Sequence, residues 1–475
     1  MYLFLDEGLV INFRLPLSAL FIGSSLVACG GGGGGGGSTV STPVAPPVSS
    51  ASCDVASQQE FVLSVAEDWY LWYDEMANVS PSDYDTAEAY LAALTAPLAV
   101  DSRDPGFSYL TTRAEDEANF TSGAFVGFGF RFAIDDQGRY LISDAFEGGP
   151  AFEAGFVRGA ELVAVDTGSG FTTMREFEEQ GTGLDVIFGG NVDGLERSFR
   201  LRIDGELIDV TAAKTEVDVP PLAAAPRTIA REGLSPTGYI HLRSFTLTAN
   251  SELEAAFEEL RESGVTEFII DLRYNGGGLV EVAERFIDLL GGEIAGGEVG
   301  YRLSHNAKRA AENFDYTIGA RTNSVSPLRI AFITSEATAS ASELLINSLS
   351  PFVEVALIGS DTSGKAVGQY AFDQTGCDTR LRLVSFETVN GEGFGGFYTG
   401  LVDTGRFTLC ATDDTFTGAF GAPEDQLTSG ALAWLGEGVC PSSLSPTSLS
   451  FRALRRGPSP IAPEHRADRR SDWVQ

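Results

Sequence analysis

Beyond Thr215 the chain alternates between extended apolar runs and segments with helical spacing, and this alternation constrains the fold more than any other feature. Residues 238–242 read as extended, 251–262 as helical and 267–272 as extended again. The run Asn275-Gly276-Gly277-Gly278 then turns the chain into a helix ending near Leu290. Residues 329–333 form another strand, followed by a turn, a helix over about 339–349 and the apolar run 353–358. Strands alternating with helices predict an α/β core, assigned here to residues 214–440.

Upstream the pattern differs, so the fold class is multidomain, α+β joined to α/β. Residues 60–76 and 86–98 carry apolar positions at helical spacing, predicting a helical region over 53–118 that Asp104-Pro105-Gly106-Phe107-Ser108-Tyr109-Leu110 interrupts. From 124 short strands follow: 124–133, a turn at Asp135-Asp136-Gln137-Gly138, 140–145, a Gly/Pro corner at 148–150, a short helix over 151–154 and a strand over 161–165. With Gly127-Phe128-Gly129-Phe130 opening the first strand, residues 119–213 resemble a PDZ domain of the bacterial protease type. That resemblance implies that the amides of Gly127, Phe128, Gly129 and Phe130 receive a peptide's terminal carboxylate while the peptide adds a strand to the sheet edge.

The amino terminus resembles a bacterial lipoprotein signal peptide. An apolar stretch over 15–28 follows Arg14 and ends in Leu26-Val27-Ala28-Cys29-Gly30, too short and too rich in Ser and Gly to span a bilayer stably. Asp6 and Glu7 stand where positive charge is the rule. The resemblance implies cleavage after residue 28, a lipid on Cys29, a Gly/Ser/Pro tether over 29–52 and a protein held in the cell envelope, facing the periplasm. The final segment, 441–475, is rich in Ser, Pro and Arg and reads as disordered. A formal charge of -34 leaves no basic stripe for phosphates, which argues against nucleic acid.

Apart from Cys29 there are four cysteines, Cys53, Cys377, Cys410 and Cys440, enough for two disulfides with three possible connectivities. Cys377 with Cys410 and Cys53 with Cys440 is the favoured set. No Cys-x-x-Cys occurs and His241, His305 and His465 do not cluster, so neither a metal nor a cofactor is implied.

Lysine is nearly absent: Lys214, Lys308 and Lys365 are the only three in 475 residues. Arginine cannot deprotonate at ordinary pH, whereas a desolvated lysine can lose its proton and act as a base. Lys365 follows Thr362-Ser363-Gly364, and 25 residues before it lies Ser340 in Thr338-Ala339-Ser340-Ala341-Ser342-Glu343. Ser340 falls between a strand and a helix, where helix-start amides can face a developing oxyanion. A helix cap would explain the same residues. Gln369, four residues after Lys365, shares its face on a strand and could orient the amine. Asp361 would raise the pKa of Lys365 if it paired.

These motifs, from about residue 60 to 440, resemble the C-terminal processing peptidases, or tail-specific proteases. The carriers are the Asp104 to Leu110 motif, the PDZ segment, Asp271-Leu272-Arg273-Tyr274-Asn275-Gly276-Gly277-Gly278, and the Ser340 motif followed by Lys365 and Gln369. The resemblance implies a serine endopeptidase with nucleophile Ser340, general base Lys365, the positioning residue Gln369 and oxyanion amides at Ala341 and Gly277. Protein or peptide substrates are implied, and a partner that activates the enzyme stays open. Gly106-Phe107 departs from the family's His before Ser, a change expected to touch packing rather than chemistry.

Rival enzymes fit less well. Gly359-Ser360-Asp361-Thr362-Ser363-Gly364-Lys365 matches a phosphate loop up to its lysine, but Ala366 replaces the magnesium-binding hydroxyl and residues 366–372 read as strand. No Gly-x-Ser-x-Gly elbow supports a Ser-His-Asp hydrolase, and no serine lies three residues before a lysine as penicillin-recognising enzymes require. A peptide-binding lipoprotein that keeps the fold without catalysis is the alternative from another class.

Overall fold

The computed structural model describes residues 53–135, 137–440 and, as backbone, the strand Trp473–Val474. Cys29, the signal segment, the tether and His465 lie outside the described residues, as does the rest of the 441–475 segment.

Six strands form the central sheet in the order Arg227–Ile229, Thr237–His241, Glu267–Asp271, Arg329–Thr334, Glu354–Gly359 and Thr408–Ala411. The first pairs antiparallel and the remainder are parallel. Parallel strands buried on both faces need continuous apolar sequence, which Phe268, Ile269 and Ile270, and Ile330, Ala331, Phe332 and Ile333, supply. Helices Ala249–Glu262, Val280–Ala295 and Ala341–Leu349 cover one face through Phe257, Phe286 and Leu345. Helix Gln426–Glu437 covers the other through Leu427, Trp434 and Leu435. The α/β core is therefore as expected, and the loops that matter leave the carboxyl ends of three adjacent strands, where open sheets of this kind bind ligands.

A second sheet is built on the 12-residue strand Thr379–Asn390, which pairs with Tyr109–Thr112, Val299–His305 and Val367–Asp373. Helices Val55–Trp69 and Ala87–Ala99 pack on it through Phe61, Val65, Tyr90 and Leu94 against Phe372, Leu381 and Leu383. Sequence reading missed this long strand. Its apolar positions alternate with Arg380 and Arg382, both taken up by Asp116 on helix Arg113–Thr121.

A third sheet orders Phe130–Ile134, Tyr140–Ala145, Glu161–Asp166, Glu196–Ile203 and Glu206–Ala213, with Phe128, Phe130, Phe156, Phe188 and Phe199 in its core. Phe125–Gly127 leaves this unit to pair with Thr215–Val217. Trp473–Val474, within the segment read as disordered, pairs antiparallel with Arg131 and Phe130.

The favoured cysteine pairing is wrong. The disulfides join Cys53 to Cys377 and Cys410 to Cys440, with Cα separations of 5.7 and 5.1 Å. Cys53 opens the helix that lies on the second sheet, and Cys377 sits in the turn between two of that sheet's strands. Cys410 is on the edge strand of the central sheet, and Cys440 follows the helix that packs on it. Packing of each helix on its own sheet therefore decides the pairing, which cysteine spacing does not encode.

Candidate active site

Strand Arg329–Thr334 leads into a tight turn in which Thr338 donates to the Leu272 carbonyl (2.8 Å) and its hydroxyl oxygen accepts from Ser335 N (3.0 Å). The turn delivers Ser340 to the start of helix Ala341–Leu349 at φ 56°. A non-glycine residue in this left-handed region costs roughly 1–3 kcal/mol and persists only where its surroundings enforce it. The enforcing group is Glu343, one turn into the helix and fully buried. Its Oε2 accepts from Ser340 N (2.8 Å) and Lys365 N (2.9 Å), and its Oε1 from Gly364 N (2.8 Å). One carboxylate thus ties the Ser340 and Lys365 backbones within two hydrogen-bond lengths of each other. Burial pushes Glu343 up to about 7, against the hydrogen bonds from Thr362, Gly364, Ser340 and Lys365.

Lys365 lies just before strand Val367–Asp373 and donates its Nζ to Gln369 Oε1 at 2.7 Å. The sheet register shifts between Gly368 and Gln369, so the pair is joined across a bulge rather than along an even strand face. Gln369 Nε2 in turn donates to the Phe107 carbonyl. Burial pushes Lys365 down to about 8; Asp104 opposes this, Arg382 adds to it and Glu343 opposes it. Asp361 does not pair with the amine: its carboxylate accepts Thr362 N, Val402 N and Asp403 N at 2.7, 2.9 and 3.1 Å. Among the described residues the Ser340 hydroxyl and the Lys365 amine are not hydrogen-bonded to each other, and the amine's partner is Gln369.

The loop after strand Glu267–Asp271 closes the site from the other side. Ala339 N and Ser342 Oγ both donate to the Asn275 carbonyl (3.1 Å each), and Asn275 Nδ2 donates to Leu242 O (2.8 Å). Gly277, at φ 101°, lies so close that a Cβ there would meet Ala339 O at 2.8 Å, Ala341 N at 2.9 Å and Ser340 Cβ at 2.9 Å. Only glycine fits. Its N–H, however, donates to Asn275 Oδ1 at 2.9 Å, so of the two amides expected to serve an oxyanion, Ala341 alone is unengaged among the described residues. Sequence reading missed Asn275 and Glu343 as individual contributors, although both stand inside quoted motifs.

Tyr274, also at positive φ (63°), is fixed by a buried charge cluster. Arg273 donates to Asp425 at 2.6 and 2.9 Å and to Asp271 at 2.9 Å, and it reaches Asp414 at 3.3 Å. Asp414 also accepts from the Tyr274 hydroxyl and from Arg158 of the third sheet's unit. Burial pushes the Asp414 carboxyl up, but Arg158 and Arg273 outweigh it and hold the group far below the usual carboxylate range. Arg131, on the strand beside the Gly127 loop, donates to the Tyr274 carbonyl (3.1 Å), and Arg243 pairs with Asp144 (2.8 Å). Phe128 and Phe130 are themselves buried core residues, while Gly129 at φ 81° brings the loop against Val217.

The rival sites do not assemble. Strand Glu354–Gly359 is followed by strand Val367–Asp373 and not by a helix, so no phosphate loop forms. His241 is buried in a central strand with its ring against Phe420, and His305 Nε2 bonds Tyr370 at 2.9 Å.

Residues 236–393 match peptidase family S41, and residues 57–109 match the peptidase S41 N-terminal domain. Two segments of the chain thus match peptidase S41 models. The S41 match spans the four inner strands of the central sheet, Ser340, Lys365 and Gln369, and the N-terminal match ends just past Phe107. Carboxyl-terminal-processing peptidase 3, chloroplastic, of Arabidopsis thaliana is 29% identical over 240 residues, covering 48% of this chain and 43% of its own length. The carboxyl-terminal-processing protease of Synechocystis is 26% identical over 278 residues, 56% of this chain and 60% of its own. The chain thus spans about half the length of these curated S41 relatives. A crystal structure from Bacteroides fragilis classed with the S41 proteases shares the fold, with TM-score 0.63 and 24% identity over 80% of this chain and 97% of that one.

Proposed function

We propose that this chain is a serine endopeptidase of the C-terminal processing type, with Ser340 as nucleophile and Lys365 as its base. One observation carries the reading: a lysine whose amine is held by Gln369, with its pKa pushed down to about 8, is tied by the Glu343 carboxylate to a serine at a helix start. In this mechanism Ser340 Oγ attacks the scissile carbonyl and its proton passes to Lys365 Nζ. The oxyanion takes the Ala341 N–H, joined by Gly277 N–H when the substrate oxygen displaces Asn275 Oδ1. Collapse breaks the C–N bond, Lys365 returns the proton to the leaving amine, and water, deprotonated by Lys365, then hydrolyses the Ser340 ester.

The pH profile tests the base. Only the neutral amine accepts a proton, so kcat/KM for an unstructured fluorogenic peptide is expected to climb as pH rises through about 8 and to level off above it. A limb centred near the ordinary histidine range, lost on replacing His241 or His305 in a folded protein, would replace the lysine by a histidine.

The third sheet's unit, residues 119–213, is proposed as a PDZ domain that recruits substrate tails, with Gly127, Phe128, Gly129 and Phe130 as the carboxylate loop. A peptide with a free apolar carboxyl terminus is expected to bind at least about tenfold tighter than its amide, since charge-assisted hydrogen bonds are worth roughly 1.5–3 kcal/mol. Equal affinities by calorimetry would remove tail recognition and leave the peptidase reading standing. The site of action is proposed as the cell envelope, with Cys29 lipid-anchored and envelope proteins as substrates. Metabolic labelling with a clickable fatty acid, lost in Cys29→Ala, checks the anchor.

A further inference from the structure

We propose that Phe107, supplied by the N-terminal region, is a positioning residue that keeps the Lys365 amine covered and aimed: its carbonyl holds Gln369 and its ring lies over Nζ. The inference rests on Lys365 being the base, as argued above. The Lys365 Nζ stands 5.0 Å from the centre of the Phe107 ring, and the Gln369 amide that orients the amine donates to the Phe107 carbonyl. Phe107 was expected to matter for packing alone, as a departure from a family pattern. The geometry instead puts both halves of the residue on the base.

The loop that carries Phe107 is built to hold it still. Buried Asp104 accepts from Ser108 N (3.0 Å), Ser108 Oγ (2.7 Å) and the Tyr70 hydroxyl (3.0 Å). Ser108 Oγ then accepts from Val384 N (3.1 Å), and Tyr109 pairs with Arg382 in the sheet. Gly106, at φ 108°, makes the turn that aims the following carbonyl.

Two effects of the ring oppose each other. Its π face favours the ammonium. Its bulk displaces water from the amine and favours the neutral form, and burial outranks every charge acting on Lys365. The charges facing the amine come from three other places. Asp104 and Glu343 favour the cation, and Arg382, itself paired with Asp116, opposes it. All three are anchored by hydrogen bonds that do not involve the Phe107 ring. Removing the ring therefore changes chiefly the access of water.

The experiment is the pH dependence of kcat/KM for the full chain carrying Phe107→Ala and, separately, Phe107→Leu, beside the parent and Lys365→Ala. Phe107→Ala is expected to move the midpoint of the rising limb up by about one pH unit, lowering activity near pH 7 about tenfold while the high-pH plateau is largely kept. Phe107→Leu, which keeps an apolar cover and loses only the π face, is expected to leave the midpoint at or slightly below the parent's, and it decides the matter if the Ala variant does not fold, since a rise of about one pH unit in the Leu variant would show that apolar cover is not what holds the midpoint down. In Phe107→Ala, a lowered plateau with an unmoved midpoint, or a midpoint that falls, would overturn the assignment. Activity surviving in Lys365→Ala would instead defeat the underlying reading, so the two failures are distinguishable.

Discussion

Replacing Ser340 with Ala, or Lys365 with Ala, is expected to cut peptide cleavage by about four orders of magnitude or more, because the members of such a pair act as one unit. Neither change should move the unfolding midpoint appreciably, since neither side chain anchors the packed core: both residues are only partly buried, and the Glu343 contacts run to their backbone amides. Lys365→Arg should be as inactive as Lys365→Ala. A guanidinium stays charged at every usable pH, and its planar fork does not reproduce the single amine contact to Gln369. Appreciable cleavage by the Arg variant, measured with the same peptide and checked for contaminating protease by the Ser340→Ala control, would dismiss lysine as the base. The pair thereby separates the peptidase reading from that of a peptide-binding protein that kept only the fold.

The second large effect is on stability. Arg273 is completely buried and satisfies Asp425, Asp271 and Asp414 together. Arg273→Ala would leave three carboxylates without their common cation, and breaking a buried pair from one side costs about 3–5 kcal/mol. A urea titration followed by tryptophan fluorescence should show that loss as an earlier midpoint. The comparison is Arg175→Ala, where both Arg175 and its partner Glu179 are exposed and the loss should stay within roughly 0.5 kcal/mol. A small loss at Arg273 would mean that water or rearrangement replaces its role. Activity should fall as well, because Tyr274, held by the same Asp414, begins the loop that abuts Ser340.

How much of this was legible in the sequence depended on the range of the signal. The central strands announce themselves by unbroken apolar runs, and residues 267–271 and 329–334 fall within a residue of their expected ends. Ser340, Lys365 and Gln369 were visible because lysine is scarce and because the motif spacing is local. Glu343 stood in the sequence only as the last residue of the Ser340 motif; that its carboxylate reaches Gly364 and Lys365 depends on a crossover no local pattern records. Phe107 lies 262 residues from the glutamine it holds, and its position before Ser108 suggested only packing. The cysteine pairing failed for the same reason: which helix rests on which sheet is a tertiary fact. Gly277, expected to offer its amide to the oxyanion, abuts Ser340, and the direction of its N–H follows from the Asn275 side chain.

The first described region and the last third of the chain close on each other, with Tyr109 paired to Arg382 and Cys53 bonded to Cys377 across 324 residues. This has a consequence in time. Chains emerge from the amino end at roughly 5–20 residues per second, so on the order of ten to fifty seconds separate the appearance of Phe107 from that of the strand that fixes it. Contacts so distant in sequence also form late, after the entropy of closing a long loop has been met. A nascent chain thus carries Phe107 without its partner strand until residues 379–390 have been made. The covering of Lys365 therefore belongs to the later steps of folding rather than to the first.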